Sequence, residues 1–188
     1  MKSTEVTIVG VTALLMHSGR LADPLDPSSK ALAAAVKRKK ASKSDEGEMT
    51  VRKAEWFGGL YLGEDGAPCL PSEVIEGSLI SGAKKLRLGA KGKTLIVQDS
   101  APLIYKGPKD PEEMWESGLF RKVCGVRVQN SRVIRTRPMF PTWRATFTVL
   151  WDPSILADEN ELIEIIDAAG QGGIGDYRPK YGRFEVES

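Results

Sequence analysis

The stretch Arg144-Ala145-Thr146-Phe147-Thr148-Val149-Leu150-Trp151 alternates without interruption, with Ala145, Phe147, Val149 and Trp151 on one face and Arg144, Thr146, Thr148 and Leu150 on the other. Alternation with period two, in residues that favour pleated backbone, predicts a half-buried strand. Soon after it, Asp158 and Glu161 form a capping-box-like pair, and Leu162, Ile165, Ile166 and Ala169 recur at helical spacing. Gly170 stands where a helix-terminating glycine belongs, and Arg183 to Val186 predicts a final strand. Strand, helix, glycine-rich loop and strand therefore follow one another at the C-terminal side.

Upstream, Glu5 to Met16 alternates and is rich in Val, Ile and Thr, so it predicts a first strand. From His17 to Lys53 the pattern breaks: Asp23-Pro24 and Asp26-Pro27 precede a short Ala-rich basic helix near Ser29 to Lys40 and a polar run from Lys43 to Glu48. Its low apolar content predicts an inserted, mobile arm at about 18–54 that awaits a partner for ordering. Trp56, Phe57, Leu60, Tyr61 and Leu62 predict a strand. Ser72 is a suitable N-cap for a helix with Ile75, Leu79, Ala83 and Leu86 on one face and Lys84, Lys85 and Arg87 at its end. Thr94 to Val97 and Leu103 to Tyr105 predict short strands, and Asp110 to Glu116 an acidic turn or helix. Val123 to Val128 and Arg132 to Arg137 flank the turn-prone Gln129-Asn130-Ser131, which predicts a hairpin with Arg135 and Arg137 on one exposed face and Ile134 on the other. The order fits an α+β fold, a ferredoxin-like (RRM-like) βαββαβ sheet with insertions, in one domain over 1–188.

The chain has 188 residues and a formal net charge of only +2, but the charge is segregated. No acid lies between Glu116 and Asp152, whereas Arg121, Lys122, Arg127, Arg132, Arg135, Arg137 and Arg144 do. Lys84, Lys85, Arg87, Lys91 and Lys93 form a second cluster, and Lys37, Arg38, Lys39, Lys40 and Lys43 a third. Such clusters suit a polyanion. The two cysteines lack CxxC spacing and there is one histidine, so the sequence offers no zinc set and predicts a reducing, cytoplasmic setting. Nowhere do about 18 apolar residues follow one another, which argues against a membrane helix.

The run from Gly170 to Val186 is the strongest candidate site. Its glycines, Gly173 and Gly175 among them, let backbone N–H groups approach phosphate oxygens. Arg178, Lys180 and Arg183 can neutralise those oxygens, and Tyr177 and Tyr181 offer faces for bases. Together with Leu70-Pro71-Ser72-Glu73-Val74-Ile75-Glu76-Gly77-Ser78-Leu79, this loop resembles the paired motifs of the RAMP superfamily, the RNA-binding proteins of CRISPR systems. Within it the chain is most similar to the backbone subunit of CRISPR effector complexes, although Tyr181-Gly182-Arg183-Phe184 replaces a common Gly-aromatic-Gly ending and the chain is compact, as a stand-alone or phage-encoded relative would be.

The resemblance implies an RRM-like palm, a thumb hairpin at about 123–144, and a homo-oligomeric filament along single-stranded, crRNA-like guide RNA, in contact with other effector subunits and without a cofactor, a metal or a membrane. It implies RNA contacts from Ser72, Gly173, Gly175, Tyr177, Arg178, Lys180 and Arg183. The basic clusters add Lys37, Arg38, Lys84, Lys85, Arg87, Arg132, Arg135, Arg137 and Arg144, and Arg20 and Arg52 stand with them as expected RNA contacts, with Trp143 as a stacking or wedging residue. Two enzyme readings stand beside this: His17 as general acid or base in RNA cleavage, or Asp23 and Asp26 as a metal-dependent site. Another is an interaction protein whose basic face meets an acidic partner protein.

Overall fold

A computed structural model describes residues 1–42, 44–128 and 130–187; Lys43 of the third basic cluster and Gln129 of the expected turn lie outside the described residues. In chain order the elements are β1 (Lys2–Gly10), β2 (Leu14–Leu15), a 3₁₀ turn (Gly19–Ala22), α1 (Pro27–Ser42), α2 (Asp45–Gly59), β3 (Cys69–Leu70), α3 (Ser72–Lys85) and α4 (Gly89–Gly92). There follow β4 (Ile96–Val97), β5 (Ala101–Ile104), α5 (Pro111–Ser117), β6 (Arg121–Val128), β7 (Ser131–Phe140), β8 (Arg144–Trp151), α6 (Glu159–Gly172) and β9 (Phe184–Val186). The fold is α+β with antiparallel sheets, and the chain forms two compact units.

The first unit comprises Met1–Leu14, Leu62–Gly107 and Phe140–Ser188. Its sheet runs β3-β5-β8-β1-β9, with β4 also on β8. The alternation of residues 144–151 sets the register: Ala145 faces Ile8, Phe147 faces Val6, and Val149 faces Thr4 across β1. One side of these strands is buried, and the apolar faces of α3 (Ile75, Leu79, Ala83) and α6 (Leu162, Ile165, Ile166) are buried too. Apolar surface removed from water in this way stabilises the unit by about 25 cal/mol per Å². On the other side, the Thr7 and Thr146 hydroxyls bond each other at 2.8 Å.

The expected strand from Glu5 to Met16 is broken into β1 and β2. The break follows from where the backbone bonds go: Val11 N–H and Thr12 N–H both turn to Arg183 O, Ala13 O accepts Gly182 N–H, and Thr12 O accepts the Trp143 indole N–H at 2.9 Å. α6 also extends beyond its expected end, to Gly172. Gly170 sits inside the helix because a Cβ there would lie 2.2 Å from Phe184 O; its lack of a side chain serves close approach rather than termination. Asp158 caps α6 by accepting Glu161 N–H at 2.9 Å, and the Glu161 carboxylate accepts Ala157 N–H at 2.7 Å, a shifted version of the expected box.

The second unit comprises Leu15–Tyr61 and Pro108–Met139. Here the expected arm is folded as two helices, and the expected strand at Trp56–Leu62 is instead the end of α2 and the segment after it. The Ser44 hydroxyl accepts Gly47 N–H and starts α2. Aromatic content favours a strand locally, but in α2 Glu55 and Trp56 turn inward as one buried end, and Trp56 Nε1 donates to Phe120 O at 2.7 Å. Trp115 lies edge-on to Trp56, with ring centroids 5.7 Å apart. α5 begins at Asp110, whose carboxylate accepts the N–H groups of Glu112 and Glu113. The hairpin β6–β7 is longer than its expected core, pairs Val128 with Ser131, and joins β2 in a sheet of order β2-β7-β6. Among the described residues no helix is long and apolar enough to cross a membrane.

Candidate nucleic-acid interface

In the first unit, the end of α3 and the loop after α6 meet. Ser78 Oγ, buried on α3, donates to Gly173 O at 3.2 Å and so ties that helix to the loop. Gly173 and Gly175 have φ of 80° and 82°, and Tyr177, at φ 59°, holds the same left-handed backbone at the expense of steric strain. The loop is closed by Ile174 N–H to Gly182 O at 2.9 Å. Gly182 is at φ 72°, and a Cβ there would lie 1.8 Å from Ile174 O, so no other residue fits this crossing.

Around this closed loop lies a concavity of about 690 Å³ lined by Ser81, Lys85, Gln171, Gly172, Gly175, Asp176, Tyr177, Arg178 and Pro179. Lys85 Nζ donates to Ala168 O at 3.2 Å, and an ammonium group has three donors. Arg178 Nη1 donates to Gly173 O at 3.4 Å. Gln171 and Pro179 also line a second hollow, with Lys180 and Arg183. Lys180 Nζ lies over the Tyr181 ring at 5.8 Å, and the exposed Tyr177 ring is edge-on to Tyr181. Arrayed guanidinium and ammonium groups beside a left-handed glycine turn and flat rings can hold an oxyanion and a base.

Other expected residues of this unit take different positions. Ser72 is the first residue of α3 and Pro71 holds the cap position without a side-chain bond. Lys84 is in the last turn, and Arg87 follows it at φ 63°, both exposed. Trp143 is a core residue rather than an open stacking surface: it is buried against Gly10 and Phe184, with its N–H on Thr12 O. Arg144 pairs with Glu187 across the sheet end.

In the second unit several expected RNA contacts are occupied by the protein itself. Arg20 donates to Gly58 O at 3.1 Å and to Phe57 O, capping the C-terminus of α2, where a cation complements the helix dipole. Arg52 pairs with Glu48 at 3.3 Å, and Glu48 also pairs with Lys39, whose ammonium holds this carboxyl below its ordinary range. Arg135 and Arg137 share a face as expected, but that face turns inward: their Nη1 atoms lie 3.3 and 3.8 Å from Oε1 of buried Glu55, while Ile134 is 52% exposed. Lys37 and Arg38 on α1 and Arg132 on β7 remain exposed.

The residues of the two enzyme readings are not gathered into a metal site. His17 is exposed and its carbonyl accepts the Tyr61 hydroxyl at 3.2 Å. Asp23 accepts Leu25 N–H and closes a turn ahead of α1, whereas Asp26 accepts Ser28 N–H in the first turn of α1; the Ser28 N–H holds the Asp26 carboxyl below its ordinary range. No group of three or more metal-ligating side chains occurs among the described residues.

Ser81 and Gln171 were not among the expected contacts. Ser81 precedes Lys85 by one helical turn, a readable signal. Gln171 was hidden by the expectation that the helix stops at Gly170. No family model matches the chain, and no curated protein matches it.

Proposed function

We propose that the protein is an RNA-binding structural subunit of the RAMP type that assembles along single-stranded, guide-like RNA in the cytoplasm and holds it mainly by its phosphates. The observation that carries this reading is the concavity in which Lys85 and Arg178 flank the left-handed glycine turn beside Tyr177. The strand order β9-β1-β8-β5, with α3 and α6 as the main connecting helices, supports a ferredoxin-like palm, with 18–54 and 123–144 as its arm and thumb. In this reading phosphate contacts fix position without reading sequence, and retention falls steeply with salt.

The test is size-exclusion chromatography of the purified protein at 260 and 280 nm, before and after RNase or DNase. A large species rich in 260-nm absorbance that collapses with RNase alone is expected. A nucleic-acid-free monomer that fails to bind added single strands at low salt would overturn the reading.

A further inference from the structure

β6 is the last strand of the β2-β7-β6 sheet, so among the described residues one of its edges has no neighbouring strand. Its outward-facing positions follow from a bond on the far side of the hairpin. Thr136 N–H points away from β6, to Glu55 Oε2 at 2.7 Å, and Thr136 is the register partner of Val123. Antiparallel pairs alternate between hydrogen-bonded and non-bonded, so the Val123 backbone faces outward, and with it Arg121, Gly125 and Arg127.

The same residues form a distinctive surface. Val123 is 43% exposed and Ile134, diagonal to it, 52%. Between them Gly125 offers open space, with nothing within 4 Å of a Cβ built there. Arg127 and Arg132 are directly opposite in register, both exposed, and every other charge on β6, at Arg121 and Lys122, is positive. An edge guarded by one sign of charge repels a second copy of itself and attracts the opposite sign. Its exposed apolar residues are aliphatic, which suits side chains of a peptide better than the flat faces of bases.

We infer that the free edge of β6 accepts an extended acidic segment of another polypeptide, added as a strand, with acids meeting Arg121, Arg127 and Arg132 and an aliphatic residue seated over Gly125 between Val123 and Ile134. Backbone bonds supply affinity and the notch at Gly125 supplies register. This stands independently of the RNA reading.

The probe is a fluorescein-labelled peptide, Glu-Val-Glu-Val-Glu-Val-Glu, measured by anisotropy at low salt against the full chain. Gly125→Pro removes an outward N–H while leaving the β7 ladder intact, a substitution that edge strands tolerate. Wild type is expected to bind the peptide, Gly125→Pro to bind it at least about tenfold more weakly with retention of single-stranded RNA unchanged, and a peptide methylated at alternate amides to lose affinity similarly. Lack of binding by wild type overturns the inference. So does equal binding of the methylated peptide, which needs no variant to fold and would mean attraction by charge alone. Displacement of the peptide by an RNA oligonucleotide in both proteins would assign the edge to nucleic acid and overturn it as well.

Discussion

The Glu55 carboxylate accepts the backbone N–H of Thr136 at 2.7 Å, and through its other oxygen it meets the guanidinium groups of Arg135 and Arg137. One buried acid on α2 thereby completes the strand β7 and absorbs two cations that the sequence alone assigns to an RNA groove.

Glu55→Ala is expected to destabilise the protein by about 3 kcal/mol, because it strips a buried cation and a strand N–H of the same acceptor. Urea unfolding measures this. A change below about 0.5 kcal/mol would show that the cluster contributes only as a surface pair does.

Cations lining the concavity and cations paired with Glu55 should separate in RNA binding. Lys85→Ala and Arg178→Ala are each expected to weaken single-stranded RNA retention and to lower the slope of log affinity against log salt by about 0.7, the value for one phosphate contact on a single strand. Arg137→Ala, with its side chain turned to Glu55, is expected to leave that slope unchanged. Filter binding across a salt series reads both.

Gly182→Ala places a methyl group against the Ile174 carbonyl in a left-handed backbone. A loss of roughly 2 kcal/mol or more is expected from clash and φ strain together, seen as a lowered Tm. An unchanged Tm would mean that the loop closes by another route.

Legibility in the sequence followed the range of the interaction. The alternation of residues 144–151, the cap at Asp158 and the Ile75, Leu79 and Ala83 part of the α3 stripe are local patterns seen where they were expected, whereas Leu86, expected to complete that stripe, lies just past the helix end and is 40% exposed. The end of α2 is not legible because Trp56 and Phe57 favour strands locally, whereas Trp56 is held by Phe120 and Trp115, far along the chain. Arg135 and Arg137 alternate as a strand requires, but which way that face turns depends on Glu55, and nothing near them in sequence says so. Trp143 is the same case, since its indole is fixed by Gly10 and Thr12.

Acid should loosen the start of α6. The Lys91 ammonium, 2.7 Å from Glu161, with help from Ala157 N–H, holds the Glu161 carboxyl below its ordinary value of 4.5. A carboxyl lowered on folding contributes stability in full above its unfolded value, and that contribution is lost as pH falls through the lower folded value. Urea midpoints of wild type should therefore drop as pH is taken below 4.5, and Glu161→Gln should drop less over the same range. Equal drops would remove Glu161 from the acid response.

Because the second unit is assembled from two separate segments, its completion depends on the order of synthesis. Glu55 and Thr136 are 81 residues apart. At ordinary elongation rates, about 5 to 20 residues per second, roughly 4 to 16 s pass between their appearance on the ribosome. For nearly all of that interval the Glu55 carboxylate on α2 lacks its arginines, and the Trp56 indole lacks the Phe120 carbonyl until 64 residues have followed it, so this end of α2 can be completed only after β7 has been made.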